Sequence, residues 1–532
     1  MKRFLWLGLL LSVLAIWTGC GDTFRPIIIP NPPAFPDPRA THSVISINNN
    51  GNANRGTALV VDVSGDTEVG VADLGLVPVH AVQQTANQVL VVNQATPGAV
   101  ADSLTKVGVS GTSVGTPTTI SLPPDSAPSF VATTQSDTAY VLLPGLVPPS
   151  VGVVSTGSNV LLATIPVGVN PVAMAETPNG KKLYVANKGD NTISAFNTID
   201  RSPRTISNGV FNSPLWLVAR SDSQRVYVLD GDGTLITIDT SATSNVDTVI
   251  APGLPVGTSV NTMFYDVRAS RLYIPSGNQL TVVDVSQDKP QILKTVSIPQ
   301  IPSVPPVDAF AVAATALPDG SRAYVASVST NPQPTQISIS AVKGDGVAAT
   351  YTYTLTGGHD PAAGITIAVS GITPAGFDGT FTVTGASGTS CDQPSQTCTF
   401  QVANTTVATQ TSVAGSGASI VDNFFPQVTV ITTAGNVIKT TVGTDGFPDA
   451  TNPSSLYFVP VCAATRFRYS MAAAGDSSRI YLSSCDAGGV GVIRTFDDTF
   501  IVNLFAPASV RAPIPPSSQP PPQNPVFLFA GP

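Results

Sequence analysis

A turn followed by an apolar run centred on one tyrosine returns along this chain every forty-odd residues. The clearest copy is ETPNGKKLYVANKGDNTISAFNTID, residues 176–200. Looser copies are ANQVLVVNQ, SDTAYVLLP, DSQRVYVLDG, ASRLYIPSG, DGSRAYVASV and DSSRIYLSSC. Aligned on the Tyr position, the anchors are Leu90, Tyr140, Tyr184, Tyr227, Tyr273, Tyr324 and Tyr481, spaced by 50, 44, 43, 46, 51 and finally 157 residues. A weaker copy in HSVISINNN puts a further anchor at Ile45, 45 residues before Leu90. A recurring period of this length marks a repeat architecture.

One helix pair per repeat also gives a period in the forties, but the local patterns alternate with period two. LITID (235–239) and LTVVDV (280–285) each follow a Gly-containing turn and read as strands. Composition agrees: Gly is 45 and Pro 47 of 532 residues, and charged residues are only 11%, against about a quarter in ordinary domains. Four short strands with tight turns take about 40 residues, the size of one propeller blade. A single blade cannot bury both its faces, so blades are expected to share cores with their neighbours around a ring. Within a copy, Leu183 and Val185 point to one face and Tyr184 to the other. The tyrosines are expected to be core residues between blades rather than ligand-stacking groups.

LYVAN (183–187), preceded by TPNGKK and followed by NTISAFNT, resembles the YVTN β-propeller repeat, and ALPDGSRAYVAS (316–327) is a second good match. The resemblance covers most of residues 41–330 and 425–506. It implies an all-β propeller of the kind found in bacterial and archaeal envelope and surface proteins, with lactonases in a related group. Between Tyr324 and Tyr481 the texture changes. Residues 333–418, with TYTYTL, ITIAVSG and GTFTVTG, read as a small β-sandwich. ITIAVSGITPAGFDGTFTVTGAS resembles a bacterial Ig-like repeat. QVTVITT and NVIKTTVG (427–443) then supply the missing outer strands, so the insertion is expected between the second and third strands of one blade. The terminal PVFLFAGP, after the Pro-rich APIPPSSQPPPQN, is expected to return as the inner strand of the first blade. The expected fold is therefore all-β, a propeller of seven or eight four-stranded blades with an inserted Ig-like β-sandwich. Its segments are 41–332 and 419–510 for the ring, 333–418 for the insertion and 511–532 for the tail.

The chain opens MKRFLWLGLLLSVLAIWTGC. Lys2 and Arg3 precede a 14-residue apolar run, Phe4 to Trp17, too short to span a bilayer but suited to a signal peptide. Thr18-Gly19-Cys20 resembles the bacterial lipoprotein signal, which implies removal of residues 1–19 and lipidation of Cys20. Trp17 departs from that pattern, and an ordinary secretory signal is the alternative. Residues 20–40 read as a Pro-rich tether. Gly21 is not the Asp that retains family members at the inner membrane, so the outer membrane or cell surface is the expected location. The net charge of −8 falls to −10 once Lys2 and Arg3 are removed, and no basic cluster remains to follow phosphates, which argues against nucleic acid.

With Cys20 lipidated, four of the five cysteines remain. Cys391 and Cys398 bracket a hairpin loop, and Cys462 and Cys485 form the other plausible pair. Zinc is the rival reading, but there is no CxxC and none of the three histidines lies near them in sequence. Disulfides suit an exported chain better.

Catalytic signals are sparse. His42, His80 and His359 are scattered. GTSVG (111–115) matches the letters of a nucleophile elbow but sits in a hairpin context without a following helix. DGDGT (230–234) has calcium-like letters, yet the loop is too short and lacks the terminal Glu, so it reads as a hairpin turn. Asp230 and Asp284 are candidate acids, each at a strand end or turn where Asp is common. No catalytic, cofactor or metal residue is assigned and no cofactor is expected. The expected role is an envelope binding or structural scaffold for a protein or glycan. The alternative is a lactonase-like hydrolase using the central channel.

Overall fold

The computed structural model describes residues 43–50, 55–94 except 65 and 86, 102–301 except 111–112 and 135–136, 308–329, 335–357, 366–369, 371–386, 397–405, 410–414, 419–422, 427–443, 469–485, 489–500 and 525–531. Strands dominate them, grouped as eight propeller blades and one inserted β unit. With strands lettered a to d outward from the axis, blade 1 is Pro525–Ala530, Ser43–Asn48, Arg55–Asp62 and Thr67–Leu76. Blade 2 runs Pro78–Thr85, Gln88–Asn93, Ser103–Ser110 and an outer edge at Thr118–Ser121. Blade 3 is Phe130–Ala132, Thr138–Leu143, Ser150–Ser155 and Val160–Pro166; blade 4 is Pro171–Glu176, Lys182–Asn187, Thr192–Asn197 and Pro203–Ser207. Blade 5 is Pro214–Ala219, Arg225–Asp230, Thr234–Asp239 and Val246–Pro255, and blade 6 is Phe264–Asp266, Arg271–Ser276, Gln279–Asp284 and Gln291–Ser297. Blade 7 is Ala309–Ala316, Arg322–Ser329, Gln427–Thr432 and Val437–Gly443; blade 8 is Tyr469–Ala473, Arg479–Ser484, Gly489–Arg494 and Thr499–Phe500.

The core lies between blades, and strand alternation assigns each anchor to its interface. Val226 and Val228 enter the cluster shared with blade 4, whereas Tyr227 and Leu229 enter the cluster shared with blade 6. The same parity holds for Tyr273 and its flanking Leu272 and Ile274, for Tyr324, and for Tyr481, which faces blade 1. Each blade therefore offers its anchor to the next and the flanking aliphatics to the previous one. These tyrosines have no exposed surface. The turn entering strand b of blade 4 uses Gly180 at φ 66°, whose N–H donates to Thr177 O at 2.7 Å.

Blade 1 is assembled from both ends of the described chain. Pro525–Ala530 pairs antiparallel with Ser43–Asn48 and packs against the inner strands of blades 8 and 2. In blade 7, strands b and c pair directly from Arg322↔Thr432 to Ser327↔Gln427, although the insertion separates them in sequence.

The insertion has its own core, in which Tyr351 stacks on Phe400 with centroids 4.8 Å apart and donates its hydroxyl to Phe377 O at 2.7 Å. Thr335–Gly344 pairs with Ala348–Gly357 on one side and with Ser419–Asp422 and Gln410–Ala414 on the other. The circuit closes through Thr366–Val369, Gly379–Ala386 and Thr397–Ala403. The seven strands of the insertion thereby form one sheet that curls back on itself into a near-closed barrel.

A polar clasp repeats at the rims between blades. Lys182, Arg225, Arg271, Arg322 and Arg479 stand two residues before the Tyr of blades 4 to 8, hence on the same face, toward the next blade. Between blades 4 and 5 the acceptor is Asp247, which is fully buried. Arg204 reaches it with Nε and Nη2 at 2.8 and 2.7 Å, Lys182 Nζ at 3.1 Å and the Tyr184 hydroxyl at 2.7 Å. Burial pushes the Asp247 carboxyl up, but the bonds from Arg204, Tyr184 and Lys182 together outweigh it and hold the group below the ordinary carboxylate range. Asp498 collects Arg322, Lys439 and the Tyr324 hydroxyl between blades 7 and 8. Asp66 takes Arg479 and the Tyr481 hydroxyl between blades 8 and 1. Between blades 5 and 6, Arg225 pairs with the exposed Asp288, and between 6 and 7 Arg271 donates to Thr433 O at 2.8 Å.

Candidate functional site

The position three residues after each anchor ends strand b, except in blade 7, where the strand runs two residues further. It is Asn48, Asn93, Leu143, Asn187, Asp230, Ser276, Ser327 and Ser484 in blades 1 to 8. Asp230 is the one ionisable residue of this set. It is 1% exposed, so it is a buried strand-end group rather than the solvated turn residue its DGDGT context suggests.

The turn around it is tightly specified. Gly233, at φ 86°, donates its N–H to Asp230 O at 3.0 Å, and a Cβ there would stand 1.6 Å from Gly257 O. Asp232 Oδ1 accepts from Thr234 N–H at 3.0 Å. The connection from blade 4 supplies Asn212, whose backbone N–H donates to Asp230 Oδ2 at 2.7 Å and whose side-chain amide donates to Asp232 Oδ2 at 3.2 Å. Asp230 Oδ1 has no hydrogen-bond partner. Burial raises the Asp230 carboxyl most, the Asn212 N–H opposes, and the nearby Asp232 charge adds to the rise; the result is a pKa of about 7.

Asp230 and Asp232 line a cavity of about 260 Å³. Its walls are Phe211, Ile236, Val249 and Ala251, with Val210 at the lip, where it is 83% exposed. Asn208 and Asn212 add amides to the rim. The site thus combines a buried carboxyl that titrates near neutrality, a second carboxylate and an apolar wall.

The remaining candidates lie elsewhere. His80, on strand a of blade 2, stacks on Phe130 of blade 3 at 3.7 Å, meets Phe527 of blade 1 edge-on at 5.0 Å, and accepts Val131 N–H through Nδ1 at 3.2 Å. Phe130 in turn meets Trp216 of blade 5 at 5.5 Å, so aromatic rings from four inner strands pack together. Asp284 closes a local turn by accepting Ser286 N–H at 2.8 Å. Ser113 of GTSVG lies on a two-residue strand, Ser113–Val114, and donates to Ser110 O. Cys398, in the insertion, and Cys485, after strand b of blade 8, are both buried. Cys20, Cys391, Cys462, His42 and His359 lie outside the described residues. Among the described residues no group of three or more His, Cys, Asp or Glu side chains is arranged to hold a metal ion.

The sequence reading missed the clasp cations and the cavity. The clasp has a local signal, Lys or Arg two residues before Tyr in five copies. The cavity is signalled by comparing copies at the third residue after the anchor, where Asp230 differs from its neutral counterparts.

No known family pattern matches the chain, and no curated protein does. Among solved structures it is similar to AztD from Citrobacter koseri, at 9% identity and a TM-score of 0.48, over 92% of this chain and 98% of that one. It is also similar to a functionally unknown protein from Desulfotomaculum acetoxidans DSM 771, at 14% identity and a TM-score of 0.43, over 59% of this chain and 93% of that one. A protein from Lactobacillus plantarum matches at 12% identity and a TM-score of 0.38, over 59% and 92% of the two chains.

Proposed function

We propose that this chain is an exported YVTN-type propeller, held at the outer membrane or cell surface by lipid on Cys20, that acts as a binding scaffold for an envelope protein or glycan. The observation that carries the reading is the completeness of blade 7 without its insertion. Strand c pairs with strand b over its whole length, from Arg322↔Thr432 to Ser327↔Gln427, and the inserted unit has a core of its own. A ring that does not need the Ig-like module for its own pairing leaves that module free to serve recognition. Cys391–Cys398 and Cys462–Cys485 disulfides fit the same compartment. The scaffold is preferred over a channel hydrolase because His80 is committed to Phe130, Phe527 and the Val131 N–H.

Two variants of the full-length protein test this in envelope fractions. Cys20→Ser is expected to move the protein from the membrane pellet to the soluble fraction. Replacing residues 330–426 by a short Gly/Ser linker is expected to leave the melting midpoint of the ring within a few degrees, since the flanking strands already meet. Partners crosslinked to the intact protein are expected to be lost from the deletion variant. Unchanged membrane association for Cys20→Ser, or the same partners with and without the insertion, contradicts the corresponding half of the proposal.

A further inference from the structure

We propose that the blade 5 cavity is a binding site for a small organic ammonium ion, its cation held by Asp230 and Asp232 and its hydrocarbon part lying against Phe211, Ile236 and Val249. This goes beyond the scaffold reading and needs neither the anchor nor the insertion.

Four observations support the assignment. Asp230 is the one ionisable residue at a position that neutral residues fill in the other blades, so strand pairing does not require its charge. Its Oδ1 is buried and without a hydrogen-bond partner, while Oδ2 is fixed by the Asn212 N–H at 2.7 Å. A buried polar atom left in this state is costly and calls for a donor. Asp232 is a second acidic group of the same lining, and its Oδ2 is oriented by Asn212.

The walls decide the kind of cation. A hard metal ion takes six to eight oxygen ligands within about 2.6 Å and has no use for an aliphatic and aromatic wall. An ammonium group with a hydrocarbon substituent uses both halves of the cavity, and the Phe211 ring adds a surface that favours cations. The volume of about 260 Å³ is just below the range of about 300–1,000 Å³ usual for drug-sized ligands, so the ligand is small. Asp230 and Asp232 are the titratable groups of the lining; strand c contributes Thr234 and Ile236, strand d Val249 and Ala251, and the connection from blade 4 its two Asn amides. Binding a cation therefore favours the ionised form of Asp230 and tightens as pH rises through neutrality.

The test is calorimetric titration of the intact protein in detergent with isoamylamine, with the isosteric alcohol isoamyl alcohol and calcium chloride as separate probes. Isoamylamine is expected to bind at pH 8, about tenfold more weakly at pH 6, and isoamyl alcohol not to compete. Asp230→Asn is expected to weaken amine binding at least tenfold and to abolish its pH dependence. Ala251→Leu, which fills the cavity and leaves both carboxylates in place, is expected to block binding, and melting curves confirm that both variants are folded. Equal binding of the alcohol, displacement of the amine by millimolar calcium, an unaltered affinity in a folded Asp230→Asn protein, or no amine binding at millimolar concentration overturns the assignment. None of these outcomes bears on Cys20 or on the insertion.

Discussion

Removing residues 525–532 is expected to lower the melting midpoint by at least about 5 °C and to broaden the transition. Pro525–Ala530 is strand a of blade 1, paired with Ser43–Asn48 from Val44↔Ala530 to Asn48↔Pro525. Val526, Phe527 and Leu528 are 1%, 8% and 5% exposed, and burying such side chains is worth about 1.5–3 kcal/mol each. The strand also receives ties from neighbouring segments: Leu528 N–H donates to Ser470 Oγ of blade 8 at 3.3 Å, and Gly531 N–H to Ser43 O at 2.9 Å. Phe527 packs against His80, so the loss reaches blade 2 as well. For a ring of this size each kcal/mol moves the midpoint by only about 1 °C, which is why several lost groups are needed for the expected drop.

A second consequence separates strand loss from general damage. Without its inner strand, blade 1 presents the free edge of Ser43–Asn48, a template for strand addition. A synthetic peptide of sequence PVFLFAG is expected to restore part of the midpoint when added in excess, and a scrambled peptide is not. Differential scanning calorimetry of the truncated protein reads both effects. An unchanged melting curve would falsify closure by this strand.

How far the sequence disclosed these features follows from the distance over which each is encoded. The anchors were legible because a blade is a local unit: the turn, the apolar run and the alternation of Leu183, Tyr184 and Val185 lie within a few residues. Parity then assigned the faces, and Tyr227 and Val228 do enter different interfaces. The clasps were half legible. Their cations sit two residues from the anchor, but the acceptors lie 63, 174 and 415 residues from Tyr184, Tyr324 and Tyr481, and no spacing rule connects them. The cavity was the least legible. Its unusual group is visible as an Asp where the other blades have Asn, Ser or Leu, yet its burial is decided by the connection that brings Phe211 and Asn212 over it. Asp in a DGDGT turn is ordinary; Asp with an unpartnered oxygen beneath such a loop is not.

Asp247→Ala is expected to destabilise the ring by about 3–5 kcal/mol, the usual loss when one member of a buried ion cluster is removed. Arg204, Lys182 and the Tyr184 hydroxyl all converge on this carboxylate. The outer strands of blades 4 and 5 pair in parallel beside it, at Ile206↔Asp247, so the cluster fastens two blades as well as two side chains. Tyr184→Phe is expected to remove only about 1 kcal/mol, because Arg204 and Lys182 still satisfy the carboxylate. The pH dependence carries the mechanism. The folded-state pKa of Asp247 is held below its unfolded value of about 3.9, so its contribution is complete above that value and is lost as pH falls through the lower, folded one. The stability difference between the native protein and Asp247→Ala, measured by urea unfolding, is therefore expected to be constant from pH 8 to about pH 5 and to shrink toward pH 3. A difference that stays constant down to pH 3, or an equal loss in Tyr184→Phe, means that shape rather than charge holds blades 4 and 5 together at this point.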